Sequence, residues 1–166
     1  MEGFEDLMSG NAGFVAGFEP GRLPPTPVKQ LAVLTCMDCR IDVFAALGLK
    51  VGDAKVVRNA GAQLSQGAAH DLVLASHLLD VHRILIMPHT RCAMASGDAA
   101  ALHDRVHSTS GHRLSQVTPR AIEDQRAKLV DDVNALAGHP DLRPGTAVLG
   151  AVYDVDTGRL LPVHAA

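Results

Sequence analysis

Ile84-Leu85-Ile86-Met87-Pro88, followed at once by His89-Thr90-Arg91-Cys92, is an unbroken apolar run that stops abruptly in side chains able to bind metal. A short run without polar alternation, bounded by Pro88, reads as a strand buried on both faces, the habit of parallel sheets covered by helices. A second run of the same kind, Leu31-Ala32-Val33-Leu34-Thr35, is closed by Cys36. In an open parallel sheet ligands gather beyond the carboxyl ends of the strands, so two such strands ending together deliver Cys36, His89 and Cys92 to one point. Thiolate and neutral imidazole are ligands of zinc, and three of them leave one tetrahedral position free, as in catalytic zinc sites.

Working outward, strand and helix signals alternate: strands near 30–36, 54–58 and 83–88, helices near 42–47 and 66–80, and a helix beginning around 93. That alternation predicts an α/β fold, a mostly parallel central sheet flanked by helices. Residues 98–118 are polar, and Ser108-Thr109-Ser110-Gly111 reads as a loop. Thr118-Pro119, with Glu123 and Asp124 in the first turn, opens a helix reaching about Ala137, stopped by Gly138 and Pro140. At the C-terminus, 146–153 and 159–163 flank Asp154-Val155-Asp156-Thr157-Gly158 as a hairpin.

The N-terminal stretch spaces Phe4, Leu7, Met8, Phe14 and Phe18 as a helix does, but Gly10 and Gly13 interrupt it, which predicts one or two short helices. Pro20, Gly21, Pro24, Pro25 and Pro27 then exclude helix and central strand and predict an extended strap. Residues 1–29 are therefore expected to form a helical arm suited to packing on a second subunit, and 30–166 a single zinc-binding α/β domain.

A chain of 166 residues suits one domain. Apolar residues make up 47% of it and aromatics only 3%, so the core is built from Ala, Val and Leu, which allow helices to lie close on a sheet. The formal net charge of -3 and the scattered basic residues exclude a nucleic-acid partner. No run approaches the roughly 20 apolar residues that cross a bilayer. Glu2, Glu5 and Asp6 stand where a secretory leader needs positive charge, and the expectation is a soluble, cytoplasmic protein. Three cysteines cannot all pair, which favours ligand or reactive roles in a reducing compartment. Of the nine histidines, His70, His77, His82, His103, His107, His112, His139 and His164 form no cluster with cysteine spacing and read as ordinary surface or hydrogen-bonded imidazoles.

Asp38 and Arg40 follow Cys36 by two and four residues. A carboxylate held by a guanidinium stays ionised, because the opposite charge depresses its pKa. Two uses are open to it: Asp38 accepts a hydrogen bond from water at the metal and orients it, or swings onto the metal as a fourth ligand and closes the site. Arg40 governs the choice. The blander alternatives are a solvated loop ion pair for Asp38 and Arg40, and small buried apolar side chains for Cys36 and Cys92. Cys92 is expected at a helix start, where the dipole favours an anion, with Arg91 adding to that effect if it turns inward.

Taken together, Cys36-x-Asp38-x-Arg40, Arg58-Asn59-Ala60-Gly61 and His89-Thr90-x-Cys92 resemble the signature of the beta-class carbonic anhydrases, over about residues 30–94. The short chain with its Pro-rich strap resembles the compact actinobacterial branch. The resemblance implies a zinc enzyme, a carbonate dehydratase (lyase), that reversibly hydrates carbon dioxide to bicarbonate with hydroxide made available by Zn2+. It implies Cys36, His89 and Cys92 as ligands, Asp38 and Arg40 as the catalytic dyad, and Asp38 as a further ligand only in a closed state. It also implies a pocket shaped by the backbone of Gly61 and Ala62, and a homodimer or homotetramer. The family usually reads Asp, Cys, Gly after His-Thr, where this chain has Arg91, Cys92 and Ala93. Cys39 is additional and reads as a buried thiol.

Three other readings stand beside this one. A hydrolase of carbon disulfide or carbonyl sulfide could use the same scaffold. Cys36-x-x-Cys39 at a strand end also fits a thiol-disulfide exchanger. A closed four-ligand zinc module without activity is the third.

Overall fold

The computed structural model describes residues 2–18, 21 and 23–163. Five strands, β1 (Leu31–Cys36), β2 (Ala54–Asn59), β3 (Arg83–Met87), β4 (Ala147–Tyr153) and β5 (Leu160–Val163), form one sheet in the order β2-β1-β3-β4-β5. β1 runs parallel to β2 and β3, and β3 parallel to β4. Only β5 is antiparallel, joined to β4 by the hairpin expected at the C-terminus. The α/β reading is thus what the chain adopts.

The helices are α1 (Glu5–Ala16), α2 (Val43–Ala46), α3 (Gln66–Leu78), α4 (Ala99–Ser110) and α5 (Gln125–Ala137). Side-chain caps set four of the starts: Asp42, Ser65, Asp98 and Asp124 each accept hydrogen bonds from first-turn amides that lack a helical partner. Alternate residues of the central strands then serve two faces. Ala32, Leu34, Ile84 and Ile86 pack with Leu72 of α3 and Leu129, Val133 and Leu136 of α5. On the opposite face Val33, Leu85, Met87 and Ala151 meet Ile41, Val43 and the cysteines Cys36 and Cys92. The site therefore grows out of the thinner face of the sheet.

Several boundaries differ from the expectations, each for a local reason. Gly10 and Gly13 do not interrupt α1, which is one continuous helix. The helix expected around 93 is only a single 3-10 turn over Ala93–Ala95, and α4 begins after the Asp98 cap. α4 then absorbs Ser108 to Ser110 and ends on Gly111 at φ +71°, a left-handed terminator that glycine adopts without strain. α5 starts at Gln125, with Asp124 as its cap and not in its first turn, because the Asp124 carboxylate binds the amides of Arg126 and Ala127. Of the strap, Glu19, Pro20 and Arg22 lie outside the described residues, as does His164; Pro24, Pro25 and Pro27 belong to no helix or strand.

α5 lies close on β4 because Gly150 has no side chain: a Cβ there would meet Val133 Cγ2 at 2.9 Å and Leu129 Cγ at 3.0 Å. Gly150→Ala is expected to overpack this seam and destabilise the fold by about 1–3 kcal/mol. Urea denaturation of both proteins measures the difference.

Candidate metal centre

β1 and β3 are held level by backbone pairing that sets Thr35 opposite Met87, and the Thr35 hydroxyl donates to the Met87 carbonyl at 2.7 Å. The pairing of β1 with β3 ends at that level. Cys36 ends β1, while the chain beyond β3 keeps its pairing with β4, the Pro88 carbonyl accepting from Tyr153 N and His89 bridging Tyr153, and the His89 side chain is fully buried. Cys92 follows on the same turn. The ligand atoms of Cys36, His89 and Cys92 all lie within 4.8 Å of one another, and all three residues are buried.

Each of the three is aimed by something specific. The Gly61 amide donates to Cys36 Sγ at 3.3 Å, across a turn in which Gly61 takes φ +84°. A side chain at Gly61 would meet Ile122 Cδ1 at 2.9 Å, so both its conformation and its surroundings require glycine. Asn59 closes that turn, receiving the Gln63 amide at 3.0 Å and donating to the Gln63 carbonyl at 2.7 Å. His89 Nδ1 lies 2.9 Å from the Thr90 carbonyl, which can only accept, so Nδ1 donates and Nε2 is left with its lone pair. That Nε2 is buried without any hydrogen-bond partner among the described residues. A buried polar atom so orphaned calls for a ligand.

The two sulfurs share their protons unequally. Cys36 is driven towards the thiolate by hydrogen bonding from Cys92, with the Gly61 amide adding to it against the cost of burial. Cys92 is pushed up by its hydrogen bond to Cys36 and by burial. The thiol that Cys36 meets is therefore Cys92, whereas Cys39 is exposed. This corrects the expectation of a buried Cys39.

Asp38 and Arg40 stand at the mouth. Arg40 Nε and Nη2 grip the two carboxylate oxygens at 2.9 and 2.7 Å, and the Arg40 amide adds a third bond at 2.9 Å. These contacts, the guanidinium foremost, hold Asp38 well below the usual carboxylate range and raise Arg40 above its ordinary value. Asp38 Oδ2 lies 3.6 Å from His89 Nε2, so the ionised carboxylate sits beside the ligand group while tied back by Arg40. Arg40 Nη2 also reaches the Arg91 carbonyl at 3.3 Å, joining the loop after β1 to the turn after β3.

The structure gives some residues parts that the sequence reading had not foreseen. Arg58 acts through its side chain as well as its backbone, donating to the carbonyls of Cys36 at 2.8 Å, Asp38 at 2.7 Å and Ile41 at 3.2 Å. It clamps the loop that carries Cys36 and Asp38. The signal was its place beside β1, but only the register Thr35 opposite Arg58 reveals the reach. Arg91 does not turn inward: its guanidinium pairs with Asp156 of the hairpin. It also carries the left-handed backbone, at φ +54°, while Ala93 keeps an ordinary one. The dipole argument for Cys92 fails too, since a three-residue turn follows it. Gly61 and Ala62 are buried beside Cys36, Ala62 at φ +56°.

A cleft of about 410 Å³ lies between Ala60, Met94, Leu102, Val106 and Pro119, and does not include the ligand group.

A carbonic anhydrase family model matches residues 31–137. Beta-carbonic anhydrase 1 of Mycobacterium tuberculosis is 32% identical, with 94% of each chain covered. The chain belongs to the beta-class carbonic anhydrases. A crystal structure of the carbonic anhydrase from Streptococcus mutans superposes with a TM-score of 0.88 at 29% identity, covering 99% of both chains. A carbon disulfide hydrolase of Acidithiobacillus thiooxidans is 33% identical over 80% of this chain and 71% of its own length.

The zinc of this family fits the residues present. Two sulfurs and an imidazole nitrogen are the donors it prefers, and the unpartnered His89 Nε2 is the lone pair it needs. Cys36→Ser and Cys92→Ser are each expected to lose zinc on dialysis against a mild chelator, with the zinc-dependent gain in melting temperature lost as well. Elemental analysis alongside thermal melts checks both.

Proposed function

We infer that the chain catalyses the zinc-dependent, reversible hydration of carbon dioxide to bicarbonate. One observation carries the reading: in a beta-class carbonic anhydrase chain, an ionised Asp38 tied by Arg40 lies beside the buried Cys36, His89 and Cys92 group. Bound there, zinc supplies the Lewis acidity that makes hydroxide available from water near neutral pH.

The protein's own part is to place and orient. Asp38, ionised, can only accept, so it takes a hydrogen bond from the attacking oxygen and turns that oxygen's remaining lone pair towards the substrate carbon. Arg40 occupies Asp38 Oδ1 twice, through Nε and its own backbone amide, but Oδ2 only once through Nη2, which leaves Oδ2, the oxygen facing His89, a free lone pair for this purpose. For Asp38 to become a fourth ligand, the fork at 2.9 and 2.7 Å must open, so closing the site costs two charge-assisted hydrogen bonds. The buried backbone of Gly61 and Ala62 lines the approach. The similarity to a carbon disulfide hydrolase supports a second substrate class, linear and apolar like carbon dioxide, and the same preparation assayed with each gas separates them.

Assembly into a homodimer or homotetramer belongs to the same reading. α1 buries none of its residues and exposes Leu7, Phe14 and Val15, with Phe4 exposed just before it, although an isolated helix of 12 residues is marginal in water. Leu149 and Leu161 are also exposed on the sheet. A second subunit covering the arm supplies the missing burial. No helix among the described residues is long and apolar enough to cross a membrane, and three free cysteines favour a reducing compartment such as the cytoplasm.

Stopped-flow assay of the zinc-loaded protein is expected to show carbon dioxide hydration that rises towards alkaline pH, and a flat or absent rate refutes the reading. Asp38→Ala is expected to keep its zinc and lose on the order of a hundredfold in kcat. Removal of residues 2–18 is expected to lower the assembly state, measured by light scattering.

A further inference from the structure

We propose that Gln125 is a positioning residue for the metal centre, its side-chain amide fixing the peptide between His89 and Thr90 and so the direction in which His89 presents Nε2. The inference rests on the zinc-site reading but not on which gas is hydrated.

The geometry is a chain of contacts that starts outside the site. Gln125 is the first residue of α5, and the helix start is rigid because Asp124 Oδ1 accepts the amides of Arg126 at 2.9 Å and Ala127 at 3.0 Å. From there Gln125 Nε2 donates to the His89 carbonyl at 2.9 Å. The same peptide plane is gripped on its other edge, where Thr90 N donates to the Tyr153 carbonyl at 2.9 Å. A plane held by its C=O on one side and its N–H on the other cannot rotate without breaking both bonds. The next carbonyl along, that of Thr90, receives the His89 ring through Nδ1 at 2.9 Å. Rotation of the 89–90 peptide would carry that acceptor away and swing Nε2 off the sulfurs.

A second contact from the same segment reaches the far side of the turn. The Ile122 amide donates to the Met94 carbonyl at 2.8 Å, two residues beyond Cys92. The segment leading into α5 thus braces the metal turn at His89 and just past Cys92, while α5 itself is seated on β4 through Gly150. Metal-bound histidines depend on such outer partners, whose removal typically costs about 10–100-fold in metal affinity or activity. No sequence motif points to Gln125; it becomes visible only when α5 is laid against the sheet.

Gln125→Leu removes the donor at nearly constant volume, and Gln125→Glu sets an acceptor against the His89 carbonyl. The proposal expects Gln125→Leu to weaken zinc binding about 10–100-fold in a chelator competition, and to alter the visible d–d absorption of the Co2+-substituted protein, which reports ligand geometry. Gln125→Glu is expected to be weaker still. Ser76→Ala is the comparison, because its hydroxyl bonds Val73 and Arg143 away from the site, and its removal tests general destabilisation. Zinc affinity and cobalt spectrum unchanged in Gln125→Leu, or lowered equally in Ser76→Ala, would overturn the proposal. Wild-type protein that binds zinc but hydrates no carbon dioxide refutes the activity reading and leaves this result standing; wild-type protein that binds no zinc refutes both.

Discussion

The parallel pairing of β1 with β3 is the constraint on which everything else depends. Because Thr35 lies opposite Met87, Cys36 and the Pro88–His89 segment stand at the same level, just beyond the last β1–β3 pair. A slip of one residue would turn every side chain of a strand to the opposite face. It would send Cys36 away from His89 and Leu34 out of the main core. The same hydrophobic alternation that fills the two sides of the sheet therefore fixes the placement of the ligands. Packing and chemistry are set by one register.

Around that frame the chain spends its guanidinium groups on holding loops still. Arg58 gathers three carbonyls of the loop after β1, and Arg40 ties Asp38 while touching the turn after β3. Arg91 fastens that turn to the hairpin through Asp156. Exposed ion pairs contribute little to stability, so what these contacts provide is order in the irregular backbone beyond the strand ends. Helices and strands cannot supply it there, and a metal site must be arranged within fractions of an ångström.

The face of the sheet that packs Cys36 and Cys92 carries the site, while α1 stands free of any burial. Phe4, Phe14 and Val15 are exposed on and beside that helix.

Much of this was legible beforehand. Apolar runs ended by ligand residues identified the strands, their alternation with helices identified a parallel sheet, and Cys36, Asp38, Arg40, His89 and Cys92 marked the site, since residue type and strand period are local properties. The boundaries that went astray, at α4, at the 3-10 turn after Cys92 and at Cys39, depended on capping and burial, which neighbours in space decide. The side-chain reach of Arg58, the outward turn of Arg91, the left-handed backbone at Arg91 in place of Ala93, and the grip of Gln125 on His89 arise between segments far apart in the chain. The sequence by itself determined which chemistry was on hand and where strands would end. Only the tertiary structure decided how those atoms were aimed, because orientation is set by contacts across the fold that no local pattern encodes.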